Sequence, residues 1–218
     1  MNAMKINVVE SVLKANDAVA AENRRRMTAA GVLAVNVMSA PGSGKTLLLE
    51  RTIPRLSPER CAVLVGDLQT TRDAERLGGA TPLVTQINTG TGCHLTAPQV
   101  TAGLDSLALD GVRYLFIENV GNMVCPAGFD LGEHRRVALL SVTEGDDKVA
   151  KYPTLFQVAD AVLLTKVDLL GVLDGYRRER VYEDISRINS RAAVFEVAAR
   201  TGQGLDPWLA WLRAQRGA

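Results

Sequence analysis

The stretch V-L-A-V-N-V-M-S-A-P-G-S-G-K-T-L-L-L-E, Val32 to Glu50, decides the fold. It opens as a short apolar run rich in β-branched residues, which reads as a buried strand, and closes on the first turn of an apolar helix. Between them lies S-A-P-G-S-G-K-T, Ser39 to Thr46. The phosphate-binding pattern G-x-x-x-x-G-K-[ST] is met at Gly44, Lys45 and Thr46, while Ser39 stands where the first glycine is expected. The physics survives that change. Gly42 and Gly44 permit close backbone approach, and the N–H groups around Ser43 and at the helix N-terminus attract phosphate oxygens. Lys45 reaches the terminal phosphates and Thr46 offers Mg²⁺ a hydroxyl. The competing reading, a glycine-rich strand-to-helix turn with an exposed lysine, is disfavoured by the motif's place between a predicted strand and a helix.

Working outward, apolar strand candidates recur at residues 32–38, 61–65, 83–87, 113–117, 137–142, 161–164 and 193–197. Their near-continuous hydrophobicity predicts strands covered on both faces, as in a mostly parallel sheet. Helical stretches are predicted at 46–56, 72–77, 96–109, 176–189 and 205–213, after a leading helix over 5–30. No internal repeat or linker interrupts the series, which predicts a single P-loop domain over 1–218: leading helix 1–30, core 32–204 and C-terminal helix 205–218. The expected fold is a three-layer α/β/α P-loop NTPase of the G-domain type, whose ligands bind beyond the strand C-termini.

Bulk composition narrows the partners. The 218 residues are 47% apolar and 22% charged, with a formal net charge of +1. That balance argues against a role dominated by nucleic-acid phosphates, and Arg24-Arg25-Arg26 is expected on a solvated helix face. No apolar run is long enough to span a bilayer, and the first ten residues lack the apolar core of a signal peptide, so a cytoplasmic protein is expected. Three cysteines at 61, 93 and 125 do not form a disulfide framework. Cys61 begins a predicted buried strand and should be inert core. Of the two histidines, His134 in G-E-H-R-R is expected to be solvated.

A P-loop enzyme needs a carboxylate near Mg²⁺, and two strand ends supply one. Residues 63–66 run into Asp67, and Y-L-F-I-E-N-V-G carries Glu118 followed by a glycine turn at Gly121. Asp67 could ligate Mg²⁺ or orient the attacking water, and Gly121 could meet a γ-phosphate through its N–H. Asp73 is a weaker candidate for the same duties, and plain strand-capping carboxylates are the competing reading. The base is addressed by T-K-V-D, Thr165 to Asp168. An aspartate there accepts from guanine N1–H and the exocyclic amine, Lys166 packs its stem over the ring, and adenine presents the wrong pattern. Thr165, where GTPases carry asparagine, should weaken the bonds that brace the loop. Ala199 lies in A-A-R-T-G-Q-G, a segment of the kind that supports the base. GTP is favoured over ATP.

Taken together, S-A-P-G-S-G-K-T, G-D-L-Q-T, Q-I-N-T-G-T-G-C-H-L, L-F-I-E-N-V-G-N-M-V-C-P-A-G-F-D-L-G, S-V-T-E-G-D-D-K and L-L-T-K-V-D-L resemble the nickel-insertion GTPases of hydrogenase maturation, the HypB family. These blocks run in order from Val32 to Leu170. The resemblance implies a GTP-dependent homodimer with a metal site at its interface, matched here by Cys93, His94 and Cys125. It also implies a nickel-chaperone partner and a hydrogenase large subunit as client, with GTP, Mg²⁺ and Ni²⁺ or Zn²⁺ as ligands. The family's residue that reaches nucleotide near the dimer contact corresponds here to either Lys148 or Lys151. Some members add a cysteine-rich or histidine-rich N-terminal tract; no Cys or His precedes Cys61 here, so the interface site is expected to be the specific one.

On their own residues, Cys93 and His94 admit two readings: half of a metal site, or an ordinary cysteine beside an ordinary histidine. One thiol, one imidazole and the remote Cys125 suit Zn²⁺ or Ni²⁺, but a single chain supplies too few ligands for a closed tetrahedron. Rival functions are a P-loop kinase, a nucleotide-gated scaffold without turnover, and a sibling metallochaperone GTPase for another metalloenzyme.

Overall fold

The structure, a computed structural model, describes residues 8–68 and 70–216. Seven strands form one all-parallel sheet in the order β3-β2-β4-β1-β5-β6-β7. In chain order these are β1 (Leu33–Ser39), β2 (Arg60–Asp67), β3 (Val84–Asn88), β4 (Val112–Glu118), β5 (Arg135–Ser141), β6 (Ala161–Thr165) and β7 (Ala193–Val197). Every predicted strand is present, and the sheet is parallel throughout.

Alternation along each strand sorts the core into layers. Val35 and Val37 of β1, Val63 and Val65 of β2 and Leu139 of β5 face helices α2 (Lys45–Thr52), α3 (Arg72–Gly78) and α8 (Leu205–Gln215). Trp208 of α8 is fully buried there, and its indole N–H donates to Thr52 Oγ1 at 3.0 Å. On the opposite face, Ala34, Leu64 and Leu115 pack under α1 (Val8–Ala29) and α4 (Ala97–Asp105). Further along that face, Met38, Leu140 and Leu164 pack under α6 (Pro153–Gln157) and α7 (Arg178–Ile188). A short turn of helix, α5 (Lys148–Lys151), precedes α6.

Several boundaries differ from expectation for identifiable reasons. Residues 5–7 of the predicted leading helix lie outside the described residues. α4 starts on a capping box, Thr96 with Gln99, but stops at Asp105, where Ser106 Oγ donates to the Gly103 carbonyl. Leu107 and Leu109 then pack against the core from an irregular segment, so their apolar spacing mimicked a longer helix. The arginine run is not simply solvated: Arg24 pairs with Asp130 and Arg26 with Asp105, leaving Arg25 to its neighbour Glu22. His134 is half-buried rather than solvated. Its Nδ1 accepts the Ala34 N–H at 3.0 Å while Nε2 meets Thr28 Oγ1 at 2.9 Å, which pins α1 to β1.

β1 is flanked by β4 and β5, so successive connections leave it in opposite directions along the sheet. The crevice this opens beyond the strand C-termini is where doubly wound sheets bind ligands. The ends of β1, β2 and β4 converge there.

Candidate functional site: a nucleotide cleft beside a cysteine–histidine cluster

The loop after β1 turns through left-handed glycines, Gly42 (φ 75°) and Gly44 (φ 98°), and Gly44 caps the N-terminus of α2. A side chain at either would meet no atom within 4 Å, so the requirement is one of backbone angle and of open space above the loop. Lys45 is 8% exposed and its ammonium donates to Ser39 Oγ at 3.2 Å. The residue that breaks the glycine pattern therefore holds the lysine of the loop. Burial lowers the Lys45 pKa, against the opposing pull of Glu118, Asp73, Glu144 and Asp67.

A cavity of about 400 Å³ opens over this loop, lined by Lys45, Thr46, Asp67, Asp73, Glu118 and Gly121 among others. Thr46 Oγ1 donates to Glu118 Oε1 at 2.7 Å, whereas the second Glu118 oxygen is buried without a partner. Burial raises the Glu118 pKa to about 7, countered by Lys45 and the Thr46 hydrogen bond. An orphaned carboxylate oxygen next to a threonine hydroxyl suits a hard divalent cation, so these residues fit Mg²⁺. Asp67 sits differently. Its two oxygens accept from the Leu68 N–H at 2.5 Å and Thr70 Oγ1 at 2.7 Å, curling the carboxylate over its own loop. Gly121 presses on the phosphate loop, since a Cβ there would lie 2.8 Å from Pro41 Cα.

A second cavity, about 310 Å³, adjoins the first and is lined by Ser43, Gly44, Leu47, Thr165, Lys166, Asp168 and Ala199. Lys166 adopts a left-handed backbone (φ 59°), and Asp168 is exposed. Thr165 still supplies a brace to the loop. Its hydroxyl donates to the Ser43 carbonyl at 2.8 Å, a buried bond that ties the base loop to the phosphate loop. Glu144, on the turn after β5, adds a second brace, with Oε1 2.6 Å from Ser43 Oγ.

Cys93, His94 and Cys125 come together as their motifs suggested: one ligand atom from each lies within 4.8 Å of the others. The first two sit on the loop after β3 and the third on the turn after β4. Cys93 Sγ is 3.4 Å from His94 Nδ1, and the imidazole rests on the Phe129 ring with centroids 4.0 Å apart. Cys93 is exposed, while His94 and Cys125 are half-buried. Its hydrogen bond to Cys125, then burial, raises the Cys93 thiol pKa, and burial lowers that of His94. Asn122 shapes the turn, its Oδ1 accepting from the N–H groups of Val124 and Cys125. Cys61 is buried, with its thiol pushed up to about 12, as inert core should be.

Sequence reasoning missed three cleft residues. Arg76 lines the phosphate cavity and is held by a two-point pairing with Glu50 at 3.0 and 2.8 Å. Glu144 braces Ser43, and Asn119 lies buried directly after Glu118. Asn119 and Glu144 lay within the quoted blocks E-N-V-G and S-V-T-E-G-D-D-K, but no local pattern gave either a role.

A strand–glycine loop–helix phosphate site, a carboxylate on the neighbouring strand and a lysine–aspartate loop define a P-loop nucleotide-binding domain. Residues 33–196 match the family model described as CobW/HypB/UreG, nucleotide-binding domain, and the chain belongs to that family. It is 50% identical over 214 residues to hydrogenase maturation factor HypB of Azotobacter vinelandii, covering 97% of this chain and 70% of that protein. The crystal structure of HypB from Helicobacter pylori in complex with nickel superposes with a TM-score of 0.87 at 40% identity, covering 92% of this chain and 94% of that one. Hydrogenase maturation factor HypB from Archaeoglobus fulgidus gives a TM-score of 0.86 at 40% identity, covering 94% and 100%. Among the described residues no helix is long and apolar enough to cross a membrane.

Proposed function

We propose that this protein is a GTP-hydrolysing metallochaperone that couples GTP-dependent dimerisation to nickel binding and delivery during [NiFe]-hydrogenase maturation. The observation that carries the reading is adjacency. Cys93 and Cys125 follow β3 and β4, and the ends of β2 and β4 line the phosphate cavity. The likeness to a nickel complex of a HypB supports nickel as the cargo. The same donors suit Zn²⁺, so either metal can occupy the site between deliveries.

In this reading Asp168 accepts from the guanine edge, Lys166 covers the ring, and Thr165 and Ala199 shape the pocket behind it. The N–H groups of Gly42, Ser43 and Gly44 cradle phosphate oxygens, and Lys45 follows charge onto the terminal phosphate. Thr46 and Glu118 would hold Mg²⁺, with Asp67 near it, and so bring to the phosphates a positive charge that would offset the negative charge developing there. Once released from Leu68 and Thr70, Asp67 also orients the attacking water. Gly121 meets the γ-phosphate with its N–H. Hydrolysis removes that contact and frees the segment to relax.

Three ligands on an exposed loop pair leave a tetrahedral metal short of donors. A second copy of the chain would complete the set or hand the ion on. Lys148 rather than Lys151 is the candidate to reach nucleotide across such a contact. It lines a cavity of about 350 Å³ beside Pro41 and Glu144 and keeps only a long pairing to Asp147 at 3.8 Å, while Lys151 is held by the same carboxylate at 2.5 Å. We further assign residues 1–218 to a single cytoplasmic GTPase domain, acting with a nickel-chaperone partner and the hydrogenase large subunit, and not with nucleic acid or membrane. Equilibrium dialysis with Ni²⁺ in GDP and in a non-hydrolysable GTP analogue tests the reading. Unequal affinities are expected, and equal ones would remove the coupling.

A further inference from the structure

We infer that Asn119 is the positioning residue that ties the metal loop to the phosphate-sensing end of β4, an inference that rests on the coupling proposed above. Asn119 follows Glu118 and is 1% exposed. Its Oδ1 accepts two backbone N–H groups, from Val120 at 3.0 Å and from Leu95 at 3.1 Å. Val120 belongs to the segment that presses on the phosphate loop through Gly121. Leu95 is the residue immediately after Cys93 and His94. One buried side-chain oxygen thus holds the two segments whose movements must be linked.

The rest of the amide is fixed by its surroundings. With two N–H groups converging on Oδ1, Nδ2 must face the other way, and it donates to Asn36 Oδ1 at 3.2 Å. Asn36, fully buried on β1, donates in turn to Glu133 Oε1 at 3.2 Å. Donors and acceptors run in one direction and end on a carboxylate that also takes Arg136 Nε at 2.6 Å and the Leu131 N–H at 2.8 Å. Such a connected buried chain resists rearrangement, because breaking any of these bonds leaves a desolvated polar group unpaired.

Leu95 is also locked from below. Its side chain is completely buried against Gly66, where a Cβ would fall 2.7 Å from Leu95 Cγ. Gly66 precedes Asp67, whose carbonyl accepts the Thr89 N–H at 2.9 Å from the start of the same metal loop. A shift at either cleft carboxylate therefore reaches Leu95, through Gly66 from β2 and through Asn119 from β4. From Leu95 the displacement passes along the backbone to His94 and Cys93. Packed contact and hydrogen bonds suffice; no ligand need span the two sites.

The test compares Ni²⁺ affinity of the full chain in Mg-GDP and in a Mg-bound GTP analogue for wild type, Asn119→Ala and Asn119→Asp, with Tm recorded for each. Aspartate keeps an acceptor for Leu95 and Val120 but sets a second oxygen against Asn36 Oδ1. It should lower Tm while retaining most of the affinity ratio. Alanine should bring the ratio to within about twofold of one, as expected when a coupling contact is removed. A wild-type ratio in the alanine variant, or an aspartate variant as uncoupled as alanine, overturns the inference alone. A wild-type ratio of one overturns the coupling reading and this inference together. Should the alanine variant not fold, amide exchange in the wild type decides: Leu95 and Val120 should change protection together when GDP is replaced, and independent changes overturn the assignment.

Discussion

Lys45, Thr46 and Glu118 are each less than a tenth exposed and bonded to a neighbour in the cleft, whereas Cys93 stands in solvent with His94 and Cys125 only half-covered. The cleft around the glycine loop is thus held by its own buried hydrogen bonds. The cysteine–histidine cluster is three donors on two loops. The difference matches what each would do in the proposed function. A site that stabilises developing charge gains from donors fixed in advance in a water-poor cleft. A site that must surrender its metal gains from few ligands, solvent access and neighbours that can move.

The sharpest way to break this comparison is Lys45→Ala. Loss of the buried ammonium should cut GTP hydrolysis by on the order of a hundredfold or more, while Ni²⁺ stoichiometry in the absence of nucleotide stays unchanged by dialysis. A parallel loss of metal would mean the two regions are one site. Asp168→Asn should cost about a hundredfold in GTP affinity and improve binding of xanthosine triphosphate, whose edge offers an acceptor where guanine has a donor. Nucleotide titration reads both, and preferential ATP binding by the wild type would favour the kinase reading. Cys125→Ala should weaken Ni²⁺ binding by at least about tenfold to a hundredfold, as removing a ligand must exceed the loss of an outer-sphere partner. Its single-turnover GTPase rate should hold.

Acidity should separate the regions further. The Cys93 pKa lies above its ordinary value because its thiol is hydrogen-bonded to Cys125 and partly desolvated, so a metal must displace its proton. Burial holds His94 below its ordinary value, so near neutrality the ring is already free of its extra proton. Ni²⁺ affinity should therefore rise with pH between about 6 and 8, by about tenfold per unit for each proton released, and fall on acidification. Competition with a chelating dye across that range measures it. The smallest effect belongs to Thr165→Val, which orphans the Ser43 carbonyl. It should cost about 1 kcal/mol, several-fold in GTP affinity, with metal binding untouched.

How much of this was legible in the sequence varies with the kind of signal. The seven strands could be read because burial on both faces leaves apolar runs that period and length identify. α5 and α6 escaped because four or five residues cannot display a helical period. The nucleotide motifs could be read because phosphate and base chemistry confine glycine, lysine and aspartate to fixed spacings, and their residues line two adjoining cavities. Ser39 and Thr165 looked like departures and proved to be partners, since only the folded chain brings Ser39 to Lys45 and Thr165 to Ser43. Asn36, Asn119 and Glu133 are joined by separations of 83 and 97 residues, which no local pattern encodes. The metal trio lay between these cases: its residues were conspicuous, but their meeting needed β3 and β4 to lie on either side of β2.

The two braces on Ser43 carry a mechanical consequence. Thr165 ends β6 and Glu144 follows β5, so the phosphate loop is bolted to the β5–β6 side of the sheet. Asp67, Gly121, Cys93 and Cys125 all hang from the β3–β2–β4 side. On the proposed function the sheet would thereby divide into a stator, which grips the base and the first phosphates, and a rotor, which carries the last phosphate and the metal.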